Sequence, residues 1–158
     1  MKILLAVDGS DFSNAAAESV ASRPWPANSE VKIVSVMEPF QPYLAEVWAV
    51  SDEFYEEMDK SVKAQATNSI EKALEYFQAA NNSDLQVSSE IVKGNPRNAI
   101  LDEADAWSAD LIVLGSHGYT GLKRVLLGSV SQAVASHAKC SIEIVRTPTA
   151  SKGEEVKG

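Results

Sequence analysis

The stretch Val113–Val134, "VLGSHGYTGLKRVLLGSVSQAV", changes character twice. It opens on the end of an apolar run, "ADLIVLGS" (Ala109–Ser116), of the kind a strand buried on both faces requires. It closes on a helical pattern that runs from Ser129 to about His137. Between these ends lie Gly115, Gly118, Gly121 and Gly128, the basic pair Lys123–Arg124 and several hydroxyls. A buried strand that passes through a glycine loop into a helix is half of a βαβ unit, so this stretch predicts an α/β fold.

The chain on either side repeats that unit. "ILLAV" (Ile3–Val7) reads as a strand buried on both faces, and "DGSDFS" breaks it. Ser10 or Asp11 can cap the helix that follows, which Pro24 and Pro26 stop. "EVKIVSVM" (Glu30–Met37) is rich in β-branched residues and predicts a second strand. An irregular segment opens at Pro39 and Pro42. A long helix then spans roughly Asp52 to Ala80, where Phe54, Met58, Val62, Ala66, Ile70, Ala73, Leu74 and Phe77 recur at helical spacing. Leu85–Val92 predicts a third strand. Gly94 and Asn95 turn the chain, and Pro96 suits the first position of a helix that runs to Trp107. "CSIEIVR" (Cys140–Arg146) is the fifth strand.

Alternating strands and helices imply parallel crossovers and a layered sheet with helices on both faces. No internal linker divides the chain. Residues 1–146 are therefore expected to form one domain, and residues 147–158 a flexible C-terminal tail without apolar content to bury. In such sheets ligands bind beyond the carboxyl ends of the strands, where strand order reverses.

Composition narrows the class further. The 158 residues suffice for one core, and 45% are apolar. The formal net charge of −8 argues against nucleic acid and anionic membranes as partners. No apolar stretch approaches the ~20 residues of a membrane helix. The start, "MKILLAVDGSD", reads as a strand and not as a signal peptide. The single cysteine, Cys140, cannot form an internal disulfide, which points to a cytoplasmic setting and a core role for the thiol.

The loop after the fourth strand has the chemistry of an anion site. Gly115 and Gly118 lack a Cβ and let a ligand approach the backbone. Ser129 stands where a helix N-cap is expected, with free amides following at Val130 and Ser131. Leu122, Val125, Leu126 and Leu127 can pin the loop to the body of the fold. Two familiar phosphate motifs do not match. A Walker loop needs Gly-Lys-Ser/Thr, and a dinucleotide fingerprint belongs after the first strand. On these residues alone a purely structural glycine turn stays open.

The whole constellation resembles the universal stress protein family. Its signature Gly-x2-Gly-x9-Gly-Ser/Thr is met by Gly115, Gly118, Gly128 and Ser129. The opening "ILLAVDGSDFS" and the ending "ASHAKCSIEIVR" are similar to that family as well, so the likeness runs from Lys2 to Arg146. Ser141 departs from it, where many relatives carry proline. The resemblance implies a three-layer α/β/α sandwich, Rossmann-like, with a five-stranded parallel sheet in the order 3-2-1-4-5. It also implies a homodimer through the last strand and a place in the ATP-binding branch. By that resemblance Asp8 would face the adenosine, and the Val36 backbone would meet the adenine edge. Leu114, Gly115, His117 and Gly118 would line the ribose and phosphates. Gly128, Ser129 and Val130 would hold the outer phosphates.

The remaining candidates are weaker. Asp8 and Asp11 are one residue too far apart for the Asp-x-Asp pattern of an aspartyl-phosphate site, and Asp11 suits a turn or cap. His117 and His137 lack a further cluster of ligands, so no metal site is expected. Lys123 and Arg124 either reach phosphates or are solvated. Tyr43, Trp48, Phe54 and Tyr55 either cover the nucleotide or pack at a contact. No nucleophile–base pair stands out. The expectation is an ATP-binding sensor or adaptor of the stress response, with little or no intrinsic turnover. Its ligand would be ATP, with AMP or ADP as alternatives and Mg²⁺ accompanying, and its partner a signalling protein. A structural or interaction dimer, or a weak ATPase or phosphotransferase, is the alternative.

Overall fold

The computed structural model describes residues 1–39, 51–80, 85–118 and 127–147. Strand β1 (Lys2–Ala6) lies at the centre of the sheet. Chain order continues through α1 (Asp11–Ser22), β2 (Glu30–Met37), α2 (Asp52–Ala80), β3 (Gln86–Lys93), α3 (Pro96–Trp107), β4 (Leu111–Gly115), α4 (Ser129–His137) and β5 (Ser141–Val145). The five strands are parallel and ordered β3-β2-β1-β4-β5, as expected. In register, Ile3 pairs with Val31 on one side and Leu111 on the other.

The continuous apolar runs have the meaning given by a sheet covered twice. Ile3, Leu5 and Val7 join Val20 of α1, Ile70 and Ala73 of α2, and Ile33 in one core layer. Leu4 and Ala6 point the other way, to Val34, Ile100 and Ala104 of α3 and Val134 of α4. Ile3, Leu4 and Leu5 are all fully buried. Each such side chain contributes about 1.5–3 kcal/mol by leaving water. A pattern with polar residues at every second position would leave one helix layer without a surface to bury.

Local signals set the helix ends. Ser10 caps α1 through its Oγ, which accepts the Ser13 N–H at 3.2 Å. Asn95 caps α3 by accepting the Arg97 N–H, with Pro96 at the first turn. α1 stops at Arg23, extended ahead of Pro24, since a residue before proline avoids the helical region. Strand ends differ by a residue or so from expectation. β3 begins at Gln86, and Leu85 instead enters the core. β5 ends at Val145, whose carbonyl accepts the Ser116 N–H where the β4 ladder closes. The calls on Tyr43, Trp48, Leu122, Lys123, Arg124, Val125 and Leu126 lie outside the described residues, as does most of the tail.

Candidate functional site

Strand order reverses between β1 and β4, and the carboxyl ends of both open on one volume. β1 keeps its last ladder bond at Val7, whose N–H reaches Val34 O at 2.9 Å. Asp8 then leaves the sheet. Its Oδ1 accepts the Ser10 N–H at 3.0 Å, an aspartate turn that carries the chain into α1. Ser13 completes the corner from within the helix. Its Oγ accepts the N–H groups of Asp8 at 3.3 Å and Gly9 at 3.1 Å and donates to Ser10 O at 3.0 Å. Asp8 is thus held through both its side chain and its main chain.

The β4 side is fastened in a similar way. The Ser131 Oγ donates to Gly115 O at 2.8 Å, and the Gly128 N–H to Ser116 O at 2.8 Å. Both ends of the glycine loop are therefore tied to one place. His117 lies with Nδ1 at 3.1 Å from the Ser116 Oγ, and its ring is 5.0 Å from that of Phe12, tilted by 46°.

The two glycines that end β4 and begin the loop have different reasons to lack a side chain. A Cβ at Gly115 would stand 2.6 Å from the Phe12 backbone carbon, so this glycine lets α1 approach the sheet. A Cβ at Gly118 would stand 2.9 Å from the Asp8 Oδ2, inside the site. The expectation that both glycines serve ligand approach thus gains a packing role at Gly115.

A cavity of about 140 Å³, open to solvent on one side, lies among these groups. Of the residues singled out in the sequence, Asp8, Val36, Leu114, Gly115, His117, Gly118 and Val130 line it. Gly128 and Ser129 do not. Gly128 packs instead on the backbone that follows β4, where a Cβ would be 3.2 Å from the His117 Cα. It is also Gly128, and not Ser129, that occupies the N-cap of α4, with no side-chain cap bond. Glycine and serine are both accepted at that position, so the sequence leaves the register one residue uncertain. The Gln132 N–H bonds back to Gly128 O, so the amides of Ser129, Val130 and Ser131 precede that bond at the start of α4, and Val130 and Ser131 border the cavity.

Sequence reading named Ser131 for its amide but missed Ser13, Val34, Pro96 and Ile100, all of which line the cavity. Ser13, three residues after the Ser10 cap, carried a faint local signal. Pro96 and Ile100 carried none, because only the packing of α3 across β2 brings them there. Together with Val34 and Val36 they give the cavity an apolar side. Asp8 and His117 are its titratable groups among the described residues. No group of three or more His, Cys, Asp or Glu that could hold a metal ion occurs among the described residues.

A doubly wound parallel sheet with a cavity at its switch point defines a Rossmann-like α/β protein. Within that class the chain belongs to the universal stress protein family, whose model matches residues 1–146. It is 32% identical over 147 residues to a universal stress protein of Methanocaldococcus jannaschii, covering 93% of this chain and 82% of that one. Universal stress protein UspA from Lactobacillus plantarum matches with a TM-score of 0.75 at 27% identity, over 92% of this chain and 97% of that one. A family member from Arabidopsis thaliana, solved with AMP bound, shares the fold at a TM-score of 0.67 and 18% identity, over 98% and 97% of the two chains.

Proposed function

We propose that the cavity binds an adenine nucleotide, ATP with Mg²⁺ ahead of ADP or AMP, and that the chain acts as a nucleotide-dependent sensor or adaptor of the stress response. The observation that carries this reading is the two-sided cavity. Val34, Val36, Pro96 and Ile100 offer an apolar wall suited to a base. The first-turn amides of α4 offer hydrogen-bond donors and a positive dipole end suited to phosphates. Asp8, an acceptor between them, suits the hydroxyls of a ribose. Proteins of this fold that hold AMP, dAMP and cAMP add support at the level of ligand class.

Little or no intrinsic turnover is part of the proposal. Ser116 and His117 are 3.1 Å apart, yet Ser116 is only 1% exposed and does not border the cavity, so it is no nucleophile for a ligand there. ATP would then act as a signal read by a protein partner in the cytoplasm. The reading includes a homodimer through β5, which lies at a sheet edge with backbone groups open to pairing.

Titration calorimetry with ATP and Mg²⁺ tests the proposal on the wild type and on a Gly118→Val/Ser129→Ala variant. Binding by the wild type and its loss in a still-folded variant is the expected result. Absence of ATP, ADP and AMP binding by the wild type at millimolar concentration overturns it and leaves the dimer surface as the place of function.

A further inference from the structure

The apolar end of the cavity is made by two elements. Val34 and Val36 come from β2, and Pro96 and Ile100 from the first turns of α3. Its dimensions therefore depend on where the start of α3 lies against the end of β2. Gly94 and Asn95 set that position. Gly94, at φ +146°, a conformation that favours glycine, turns the chain out of β3, and its N–H reaches Met37 O at 3.1 Å. Asn95 uses both ends of its side chain. Its Oδ1 accepts the Arg97 N–H at 3.1 Å and caps α3, while its Nδ2 donates to Glu38 Oε1 at 3.2 Å. The cap settles which end of the amide faces Glu38, because a flipped amide would turn its own N–H groups on the Arg97 N–H. Glu38 directly follows β2, and its carboxylate stands at the positive end of the α3 dipole. At the other end of the same two elements, Lys32 of β2 holds Glu103 of α3. A cap alone needs only an oxygen. The amide nitrogen that Asn95 carries in addition reaches across to the β2 side.

We infer that Glu38 and Asn95 are positioning residues that clamp the start of α3 to the end of β2 and so set how large a base the cavity accepts. This rests on the nucleotide reading above and adds a determinant of base size to it. Neither side chain lines the cavity. They act through Pro96, the next residue, and through Ile100 one turn further along α3. The backbone bond at Gly94 is a single point about which α3 can pivot. The bond from Asn95 to Glu38 is a second point, and two points stop the pivot. Both residues are exposed, so the bond is of modest strength and its loss should loosen the site without abolishing it.

The test exchanges donor and acceptor. Asn95→Asp keeps an oxygen to cap α3 but loses the donor to Glu38, so its urea midpoint should stay near that of the wild type. Adding Glu38→Gln supplies a new donor to the second carboxylate oxygen. Calorimetry compares AMP with etheno-AMP, whose adenine carries an additional fused ring. The ratio of AMP to etheno-AMP affinity is expected to fall roughly three- to fivefold in Asn95→Asp and in Glu38→Ala, and to return toward the wild-type ratio in the Glu38→Gln/Asn95→Asp double variant. A ratio unaltered in both single variants, or lost in them and not regained in the double variant, overturns the inference. The bond itself is read without ligand. One Asn95 side-chain amide proton should move upfield in nitrogen-15 NMR spectra of Glu38→Ala, and no such movement also overturns the inference. Failure of the wild type to bind either nucleotide sinks the nucleotide reading and the base-size role with it, whereas the NMR result then still decides whether the clamp exists.

Discussion

Gly118 faces Asp8 so closely that a methyl group on its Cα would lie 2.9 Å from the Asp8 Oδ2. The clash is with the end of a side chain, and the Gly118 backbone is not among those with positive φ. Gly118→Ala should therefore fold normally, within about 0.5 kcal/mol of the wild type. The carboxylate must swing aside, however. Under the nucleotide reading, affinity for AMP should fall roughly tenfold or more, since a site group is displaced. Denaturant unfolding and calorimetry on the same preparation check both halves.

Gly115 predicts the reverse pattern. Its missing Cβ faces Phe12 backbone atoms at 2.6 and 2.8 Å, and a helix backbone cannot step back cheaply. Gly115→Ala should destabilise the protein by about 1–3 kcal/mol or more through overpacking. Urea denaturation measures this. A variant as stable as the wild type would mean that α1 can move off the sheet without cost.

The contrast between the two glycines shows where sequence reading reaches its limit. Runs such as Ile3–Val7 and Leu111–Gly115 announce themselves, because a strand covered on both faces must be apolar throughout. Ser10 and the Asn95–Pro96 pair mark helix starts for local reasons, and strand order follows the family likeness. The partner of Gly115 is different. Phe12 lies about a hundred positions away in the chain, and nothing near Gly115 shows that α1 will press there. Pro96 and Ile100 join the cavity for the same kind of reason, through the packing of a whole helix. Ser13 is intermediate: its spacing from Ser10 is visible, but its grip on the Asp8 and Gly9 amides is a property of the folded corner.

On the far side of β2, Lys32 joins two carboxylates. Its Nζ lies 2.5 Å from Glu103 and 2.8 Å from Glu90, linking α3 to the β2–β3 pair. Those hydrogen bonds, Glu103 first, raise the Lys32 pKa above its ordinary value of 10.5. A group whose folded pKa is raised contributes its stability in full below the unfolded value. That contribution is lost as pH rises through the folded value. The protein should therefore lose stability above about pH 10.5, and Lys32→Met should flatten that alkaline slope. At pH 7 the same variant should cost about 1–3 kcal/mol, because the mostly buried Glu103 loses its partner. Guanidinium midpoints from pH 7 to 11 give both numbers. A slope identical in the two proteins would assign the alkaline loss to other groups.

The second long-range ion pair ties the C-terminal end of α1 to the edge of the sheet. Both terminal nitrogens of Arg23 meet the two oxygens of Glu143 on β5 at 2.9 Å, a two-pronged arrangement that only a guanidinium can make. The pair is about one-third exposed on each side, so water screens it and its worth is modest. The Trp25 ring favours its geometry, since Arg23 lies 4.6 Å over it and the stacking holds the fork in one orientation. The Arg23 Nε is buried without a partner among the described residues, a cost that the fork and the stacking offset. Arg23→Lys keeps the charge but loses the fork and much of the stacking. It should cost about 0.5–1.5 kcal/mol, close to the cost of Glu143→Gln. Because charge supplies part of the attraction, raising the salt to about 1 M should narrow the gap between wild type and Glu143→Gln. It should narrow the gap to Arg23→Lys less, since that variant lacks geometry and not charge. Chemical unfolding in urea at low and high salt separates the two. Equal salt dependence for both variants would show that Arg23 acts at the β5 edge as a simple charge, with its two-pronged contact contributing nothing of its own.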